Sequence, residues 1–206
     1  MATFNGFEII TLPTSPGAPR TVEWSTPNIV GVAASPFTGQ QQIQNWNAGW
    51  LEASLSYPPM AHATFQAWAA FLLQLRGSGN IFQFGDPLGA APRGSAAGTP
   101  LVKGANQTGY SLAMDGFTSS AAGVLLPGDW IQVGYRLYRN LTTVNADGSG
   151  NATATIFPAL RESPADNASI VTTNAKGVWR MKNNTPHWTV DANRHYSLTF
   201  EIREAI

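Results

Sequence analysis

Short runs of β-branched and aromatic residues, separated by glycine and proline, make up most of this chain of 206 residues. Runs of this length and spacing are typical of β-sandwiches and β-barrels. The pattern predicts strands at Gly6–Leu12, Thr21–Trp24, Gln42–Trp46, Trp50–Ser56, Asn80–Phe84, Tyr110–Met114, Trp130–Val133, Arg136–Val144, Ala152–Phe157, Ser169–Thr173, Gly177–Met181 and Tyr196–Arg203. We therefore expect a mainly β fold with a sandwich-like or barrel-like domain.

One segment has helical periodicity. The segment 60–76 follows Pro58-Pro59 and ends against Gly77, and both are helix boundary signals. One face carries Phe65, Trp68, Ala69, Leu72 and Leu75, but the remaining surface is also apolar, with Ala67, Ala70, Phe71 and Leu73. A helix that is apolar all round is buried on more than one side. The second side could face the chain's own sheet or a neighbouring subunit. The candidate assembly interface is therefore Phe65, Trp68, Phe71, Leu72 and Leu75. If a partner covers the second side, Phe71→Glu should disrupt assembly more than folding of the monomer.

A domain boundary is predicted near Asp86. The following segment, 86–100, is rich in Pro, Gly, Ala and Ser, as in an extended loop or linker. The last run alternates cleanly: Tyr196, Leu198, Phe200 and Ile202 point one way, as in a half-buried antiparallel strand. We expect a first β domain over residues 1–87 that regains a returning strand at about 190–206. A second, all-β domain over 88–189 is then inserted or appended.

Charged residues are scarce. They make up 12% of the chain, about half of the roughly 25% that is usual in soluble domains. Between Met1 and Leu75 the charged residues are Glu8, Arg20, Glu23 and Glu52. Because charged side chains are depleted at the cores of protein–protein interfaces, this region is expected to form an interface. The alternative is that its many Ser, Thr, Asn and Gln residues keep it solvated.

The composition also bears on partners and location. The formal net charge is zero, cysteine is absent, and Lys and Arg form no long run. Nucleic-acid binding, which needs a basic patch, is not expected, and neither are disulfides or thiolate metal sites. No apolar run reaches the 18 or so residues of a membrane span. The first residues do not resemble a signal peptide, so we expect synthesis in the cytoplasm.

The residue types of common catalytic sites occur without their usual spacing. No Ser lies in a G-x-S-x-G motif, and the three His (His62, His187 and His195) match no zinc signature. Asp86, Asp115, Asp129 and Asp147 each adjoin Gly or Pro, where aspartate stabilises turns. No phosphate-binding loop is present. The chain is expected to be no enzyme and to have no catalytic, metal or cofactor-binding residues, although a hydrolase with a convergent polar pocket remains a third hypothesis.

Tryptophan supplies the second hypothesis. The seven Trp residues are spread over the whole chain. Exposed aromatic rings on a β-sandwich bind sugars, whereas core packing and interface anchoring are the commoner uses of Trp. A carbohydrate-binding module therefore stays open as the alternative to a structural subunit.

Several phrases, in their order along the chain, resemble bacteriophage tail proteins. They are Phe82-Gln-Phe-Gly-Asp86-Pro87, Pro92-Arg93-Gly94, Lys103-Gly-Ala-Asn-Gln107-Thr108-Gly109, Leu126-Pro-Gly-Asp129-Trp-Ile-Gln-Val-Gly134, Leu137-Tyr-Arg, Phe157-Pro-Ala-Leu-Arg161 and Phe200-Glu-Ile-Arg-Glu204-Ala. In size and layout the chain is most similar to the distal tail proteins of siphophages. The resemblance covers most of residues 82–206 and is looser before them.

This resemblance implies a virion structural protein at the tail tip. The N-terminal β domain with its helix would form a homo-oligomeric ring, usually a hexamer, at the end of the tail tube. The second β domain would decorate the ring, which joins the tube to the hub and receptor-binding proteins. Other tail components, such as tube or hub subunits, share a β core with one helix and remain possible.

Overall fold

The computed structural model describes residues 2–206, except for the side chain of Asn47. The fold is mainly β with a single α-helix among these residues, as predicted, and its sheets include a half-barrel and a nearly closed barrel. The strands are β1 (Thr3–Phe4), β2 (Phe7–Ile10), β3 (Thr21–Ser25), β4 (Asn28–Ala34), β5 (Gln41–Gly49), β6 (Glu52–Met60), β7 (Ile81–Phe84), β8 (Gly98–Val102), β9 (Ser111–Phe117), β10 (Trp130–Val133), β11 (Arg136–Asn140), β12 (Ala152–Phe157), β13 (Ile170–Val171), β14 (Gly177–Met181), β15 (Trp188–Val190) and β16 (Tyr196–Glu204). Helix α1 is His62–Leu75.

The first sheet joins the two ends of the chain. Its strand order is β1-β2-β7-β14-β16-β6-β3, and β15 pairs with β16. Only β2 and β7 run parallel; the other pairs are antiparallel. Strand β16 lies in the middle, and its predicted alternation is confirmed, since Leu198, Phe200 and Ile202 are buried. The C-terminal strand therefore helps to form the core of the first domain.

Helix α1 covers this sheet with one face only. Phe65, Trp68, Phe71, Leu72 and Leu75 are all buried in the chain itself. The Trp68 ring lies 4.1 Å from that of Tyr57 on β6, and its indole N–H donates to the Ser15 carbonyl. The helix ends where Arg76 and Gly77 take positive φ angles, a common helix C-terminus.

The second sheet is formed by the middle of the chain, in the order β13-β10-β11-β12-β9-β8. It is inserted between β7 and β14, so the chain re-enters the first sheet at Gly177. The expectation that residues up to 189 belong to the second domain is wrong in this respect, because β14 and β15 pair with strands of the first sheet. Trp130 and Leu137 of the second domain extend into the core of the first.

The third sheet is a separate ribbon of two strands, β4 and β5. The sequence pattern indicated part of β5 but gave no strand at β4. The ribbon leaves the first domain between β3 and β6. Because β3 and β6 pair with each other, the chain leaves the first sheet after β3, forms the ribbon and re-enters the same sheet at β6. We refer to residues 28–49 as the β-ribbon.

Candidate assembly surface

The β-ribbon carries six of the thirteen exposed large apolar side chains of the described residues. Its members are Ile29, Val30, Val32, Phe37, Ile43 and Trp46. The exposed fraction is 59% for Val32 and 63% for Ile43, and Phe37 at the tip is 95% exposed. Single exposed apolar residues are ordinary, but a contiguous group marks a surface that contacts something else.

A tight loop closes the ribbon at its tip. The backbone N–H of Ser35 donates to the Gln40 carbonyl, and the N–H of Gly39 donates to the Ser35 carbonyl. The Ser35 hydroxyl accepts hydrogen bonds from the N–H groups of Phe37 and Thr38. Gly39 has a φ of 69°, a conformation that glycine adopts at little cost. The polar turn leaves the Phe37 ring with no covering group of its own.

The two faces of the ribbon differ in character. Residues paired directly across an antiparallel ribbon share a face, and Val32 pairs with Ile43 while Gly31 pairs with Gln44. One face therefore carries the exposed Val30, Val32 and Ile43, together with Asn45 and Gln41, which pair with Val30 and Ala34. The other face carries Gln42 and Gln44 opposite Ala33 and Gly31, and the Trp46 ring covers Gly31 so closely that a Cβ there would lie 2.8 Å from it.

The ribbon has no visible protection of its edges. Among the described residues, no third strand pairs with β4 or β5. The sequence from Trp24 to Leu51 contains no Asp, Glu, Lys or Arg. An isolated two-stranded ribbon is marginally stable in water, and folded proteins usually guard open edges with charged residues or proline. The outer edges of β4 and β5 are therefore open to pairing with another strand.

The base of the ribbon is fixed in contrast to its free tip. Asn28 and Gly49 form the last pair of β4 and β5. A Cβ on Gly49 would lie 2.5 Å from the Asn28 side-chain oxygen and 2.7 Å from the Phe157 ring. Phe157 belongs to the second domain, so only glycine allows the ribbon to approach that domain this closely. The N–H of Trp50 then donates to the Pro27 carbonyl.

Glu52 lies three residues after Gly49, and two positively charged side chains lie near its carboxylate. Its carboxylate accepts a hydrogen bond from the Trp50 indole at 2.8 Å and pairs with Lys182 at 2.9 Å, with Arg203 at 3.8 Å. Burial works to raise the pKa of Glu52, but the Trp50 and Lys182 hydrogen bonds and the two positive charges together lower it. The ionised form is therefore favoured in the folded chain.

We expect Glu52 to make folding more stable at neutral pH than in acid. A carboxyl whose pKa is lowered by folding stabilises the protein above its unfolded pKa, and this stabilisation is lost as the pH falls through the folded pKa. Glu52→Gln should lower the free energy of unfolding at pH 7, and the difference from the unmodified chain should shrink below the ordinary pKa of 4.5. Urea unfolding at pH 7 and in acid measures this; a difference independent of pH contradicts it.

The structure changes the assignment of the predicted interface residues. Phe65, Trp68, Phe71, Leu72 and Leu75 have exposed fractions of 2% or less in the isolated chain. They cannot reach a partner while the chain is folded, so their assignment as an assembly surface is wrong. The apolar pattern predicts Phe71 on the second side of the helix. Because residues three or four apart share a helix face, Phe71 lies with Trp68 and Leu75.

The His and Asp side chains considered for catalysis make hydrogen bonds to neighbouring groups of the chain. His62 hydrogen-bonds the Tyr196 hydroxyl at 2.9 Å, and His195 donates its backbone N–H to Asp191 at 2.8 Å. The predicted turn roles of Asp129 and Asp147 are confirmed. The Asp129 carboxylate accepts three backbone N–H groups, and Asp147 accepts two.

A groove of about 580 Å³ lies at the carboxyl ends of β2 and β7. Its charged lining residues are Asp86 and Lys176. The Asp86 carboxylate already accepts hydrogen bonds from the Trp130 indole and the Leu88 N–H. Within the part of the chain that the structure describes, no cluster of three or more His, Asp or Glu side chains could hold a metal ion.

The tryptophans do not form one exposed platform in the described residues. Trp68, Trp130 and Trp179 are buried, and Trp24 packs against the last two at 5.1 and 5.6 Å between ring centres. The two exposed rings, Trp46 and Trp188, belong to different sheets. The candidate functional site is therefore the β-ribbon, where several exposed apolar side chains lie together.

Among residues 2–206, no helix is long and apolar enough to cross a membrane. No protein-family model matches the chain, and no curated protein sequence shows significant similarity to it.

Proposed function

We propose that this chain is a structural subunit that assembles with copies of itself into a ring, through the β-ribbon. The single observation that carries this proposal is an uncharged ribbon with open edges and exposed Val30, Val32, Ile43 and Phe37. Covering it by another strand would satisfy the backbone groups at its edges and remove apolar side chains from water.

A second copy of the chain suits the ribbon better than an unrelated partner. The ribbon has no charge with which to repel its own copy. Its outer edges belong to different strands, so the β4 edge of one copy can pair with the β5 edge of the next. Such head-to-tail contacts close into rings, and a closed barrel of ribbons has no free edges.

The two faces of the ribbon then take different places in the ring. In a barrel, one face of each strand points inward and the other outward. The Gln42 and Gln44 face would line the water-filled channel. The face with Val30, Val32 and Ile43 would pack outward, against the bodies of the subunits. The exposed Trp46 ring, which covers Gly31 on the Gln42 and Gln44 face, would then lie in the channel wall.

We propose that the chain is a distal tail protein, located at the tail tip of a bacteriophage. This part rests on the resemblance of the phrases between Phe82 and Ala205 to phage tail proteins. A ring subunit with an inserted β domain suits a connector between the tail tube and receptor-binding parts. Immunogold labelling of particles that contain the chain should mark the distal end of the tail; label on the head or along the tube contradicts this location.

Light scattering and electron microscopy test the ring directly. Copies of this 22.0 kDa chain should form a species of about six times the monomer mass, as the resemblance to distal tail proteins implies, with ring-shaped particles in negative stain. The measurement should run from micromolar to millimolar concentrations. A strict monomer over the whole range contradicts self-assembly, and open filaments contradict a closed ring.

A further inference from the structure

Two arginines of the second domain reach the end of the first domain's central strand. Arg136 pairs with Glu162 of its own domain at 2.8 Å and donates to the Ala205 carbonyl. Arg161 forms a two-pronged pair with Glu204, with its Nε and Nη2 atoms 2.9 and 2.8 Å from the carboxylate oxygens. Both contacts join the domains, but their surroundings differ.

Arg161 also contacts the base of the β-ribbon. Its Nη2 atom donates to the Gly49 carbonyl at 2.6 Å. The same Glu204 carboxylate accepts the backbone N–H of Leu51, and the Glu204 N–H donates to the Leu51 carbonyl. One guanidinium therefore connects the second domain, the last strand and the residue at which the ribbon ends.

This contact is shielded from water. The exposed fractions of the Arg161 and Glu204 side chains are 13% and 6%. Burial works to lower the pKa of Arg161, but the hydrogen bonds and charge of Glu204 outweigh burial and raise it. The guanidinium thus stays charged, and its planar fork can serve two acceptors at fixed angles, as a lysine ammonium cannot.

We propose that the second domain sets the direction in which the β-ribbon leaves the first domain, and that Arg161 is the positioning residue. This inference rests on the proposed function, since the ribbon is the proposed assembly surface. The Phe157 ring supports the same base from the second domain, 2.7 Å from where a Gly49 Cβ would lie. The inserted domain is then part of the assembly mechanism, because edges pair only when each ribbon presents the correct angle.

Arg161→Lys tests this with the charge retained. The ammonium can still pair with Glu204, so the chain should fold, but the fork to Gly49 is lost. Hydrogen–deuterium exchange, measured at a concentration where the chain is monomeric, should become roughly tenfold faster in the peptides holding residues 28–29 and 48–51. Exchange in β9 and β12 should not change. Ring formation should weaken in parallel.

Arg136→Lys is the matched control, because Arg136 joins the same domains without touching the ribbon. It should leave exchange at the ribbon base unchanged. An equal increase in both variants overturns the proposal, since the effect would then be a general loosening of the domain contact. Faster exchange at the base with rings formed as readily as before also overturns it. If the unmodified chain forms no rings, the proposed function fails, while the exchange measurement on the monomer still decides whether Arg161 holds the base.

Discussion

Ile43→Glu in the β-ribbon should abolish ring formation while leaving the chain folded. Ile43 is 63% exposed in the isolated chain, so a carboxylate there is solvated in the monomer and costs little. In the proposed ring the same position is enclosed, together with Val30 and Val32, and an unpaired charge would lose its water. Such burial costs several kcal/mol, so each contact should weaken by roughly a hundredfold or more. Light scattering should show monomers at concentrations where the unmodified chain forms rings.

Two controls separate this effect from a general effect of charge. Gln44→Glu adds the same charge to the next residue of β5, on the face assigned to the channel. Leu73→Glu replaces an apolar residue of similar exposure, 65%, on the outer face of α1. Both should retain rings. Loss of rings in Gln44→Glu but not in Ile43→Glu would reverse the assignment of faces, and loss in Leu73→Glu would place the contact on the helix instead.

The elements that the sequence predicted well are those whose pattern is set by one buried face. Strand β16 alternates because Leu198, Phe200 and Ile202 enter the core while the residues between them remain on the other face. The helix was predicted within two residues of His62 and Leu75, because Gly77 marks its end. In both elements a local period records a contact that the element makes along its whole length.

Strand β4 was missed because no core sets its pattern. Its sequence, Asn28-Ile-Val-Gly-Val-Ala-Ala34, has a bulge between Ile29 and Val30 and ends in small residues. The available signal was the cluster of β-branched residues between Pro27 and the Ser35-Pro36 turn, followed by the glutamine-rich β5. The charge-free stretch from Trp24 to Leu51 lies within residues 1–75, the region in which the scarcity of charge predicts an interface, and it contains the proposed assembly surface.

Proline placed the start of the helix too early. Pro58 and Pro59 lie within β6, which extends to Met60. Strand β3 pairs with β6 only over residues 52–56, so beyond Ser56 one side of β6 is an open edge. Successive residues of a strand direct their backbone nitrogens to opposite sides, so one of the two prolines faces this open edge. The other faces β16, where the register shifts between Tyr196 and Leu198 and the ladder is interrupted. Which edge of β6 is paired depends on strands that are distant in the sequence, so the local sequence does not predict it.

The membership of β14 and β15 could not be predicted for a related reason. Both strands have ordinary β sequences, and nothing local distinguishes a strand of the first sheet from one of the second. Gly177 is one local sign that β14 lies where the two domains meet, since a Cβ there would lie 2.7 Å from the Leu137 Cβ of the second domain. A glycine at a strand start, where two domains approach each other, becomes interpretable only once both partners are known.

Phe71→Glu should unfold the chain, whatever its assembly state. Phe71 is 2% exposed and packs edge-on against Trp68 and Phe82, with ring centres 5.8 and 5.3 Å apart. Removing a buried phenylalanine costs about 3–5 kcal/mol, and placing an unpaired carboxylate in the same cavity costs several more. The total is comparable with the entire stability of a typical domain, about 5–15 kcal/mol. Circular dichroism should therefore show no cooperative melting transition near that of the unmodified chain.

Leu73→Glu serves again as the comparison, two residues further along the same helix. Its side chain lies in water, so its free energy of unfolding should stay within about 0.5 kcal/mol of the unmodified value. Phe71→Ala, a milder change, should fold but melt at a lower temperature. A Phe71→Glu variant that melts normally and yet forms no rings would restore the helix as the assembly surface. The contrast between positions 71 and 73 thus decides which apolar surface of this chain belongs to its own core.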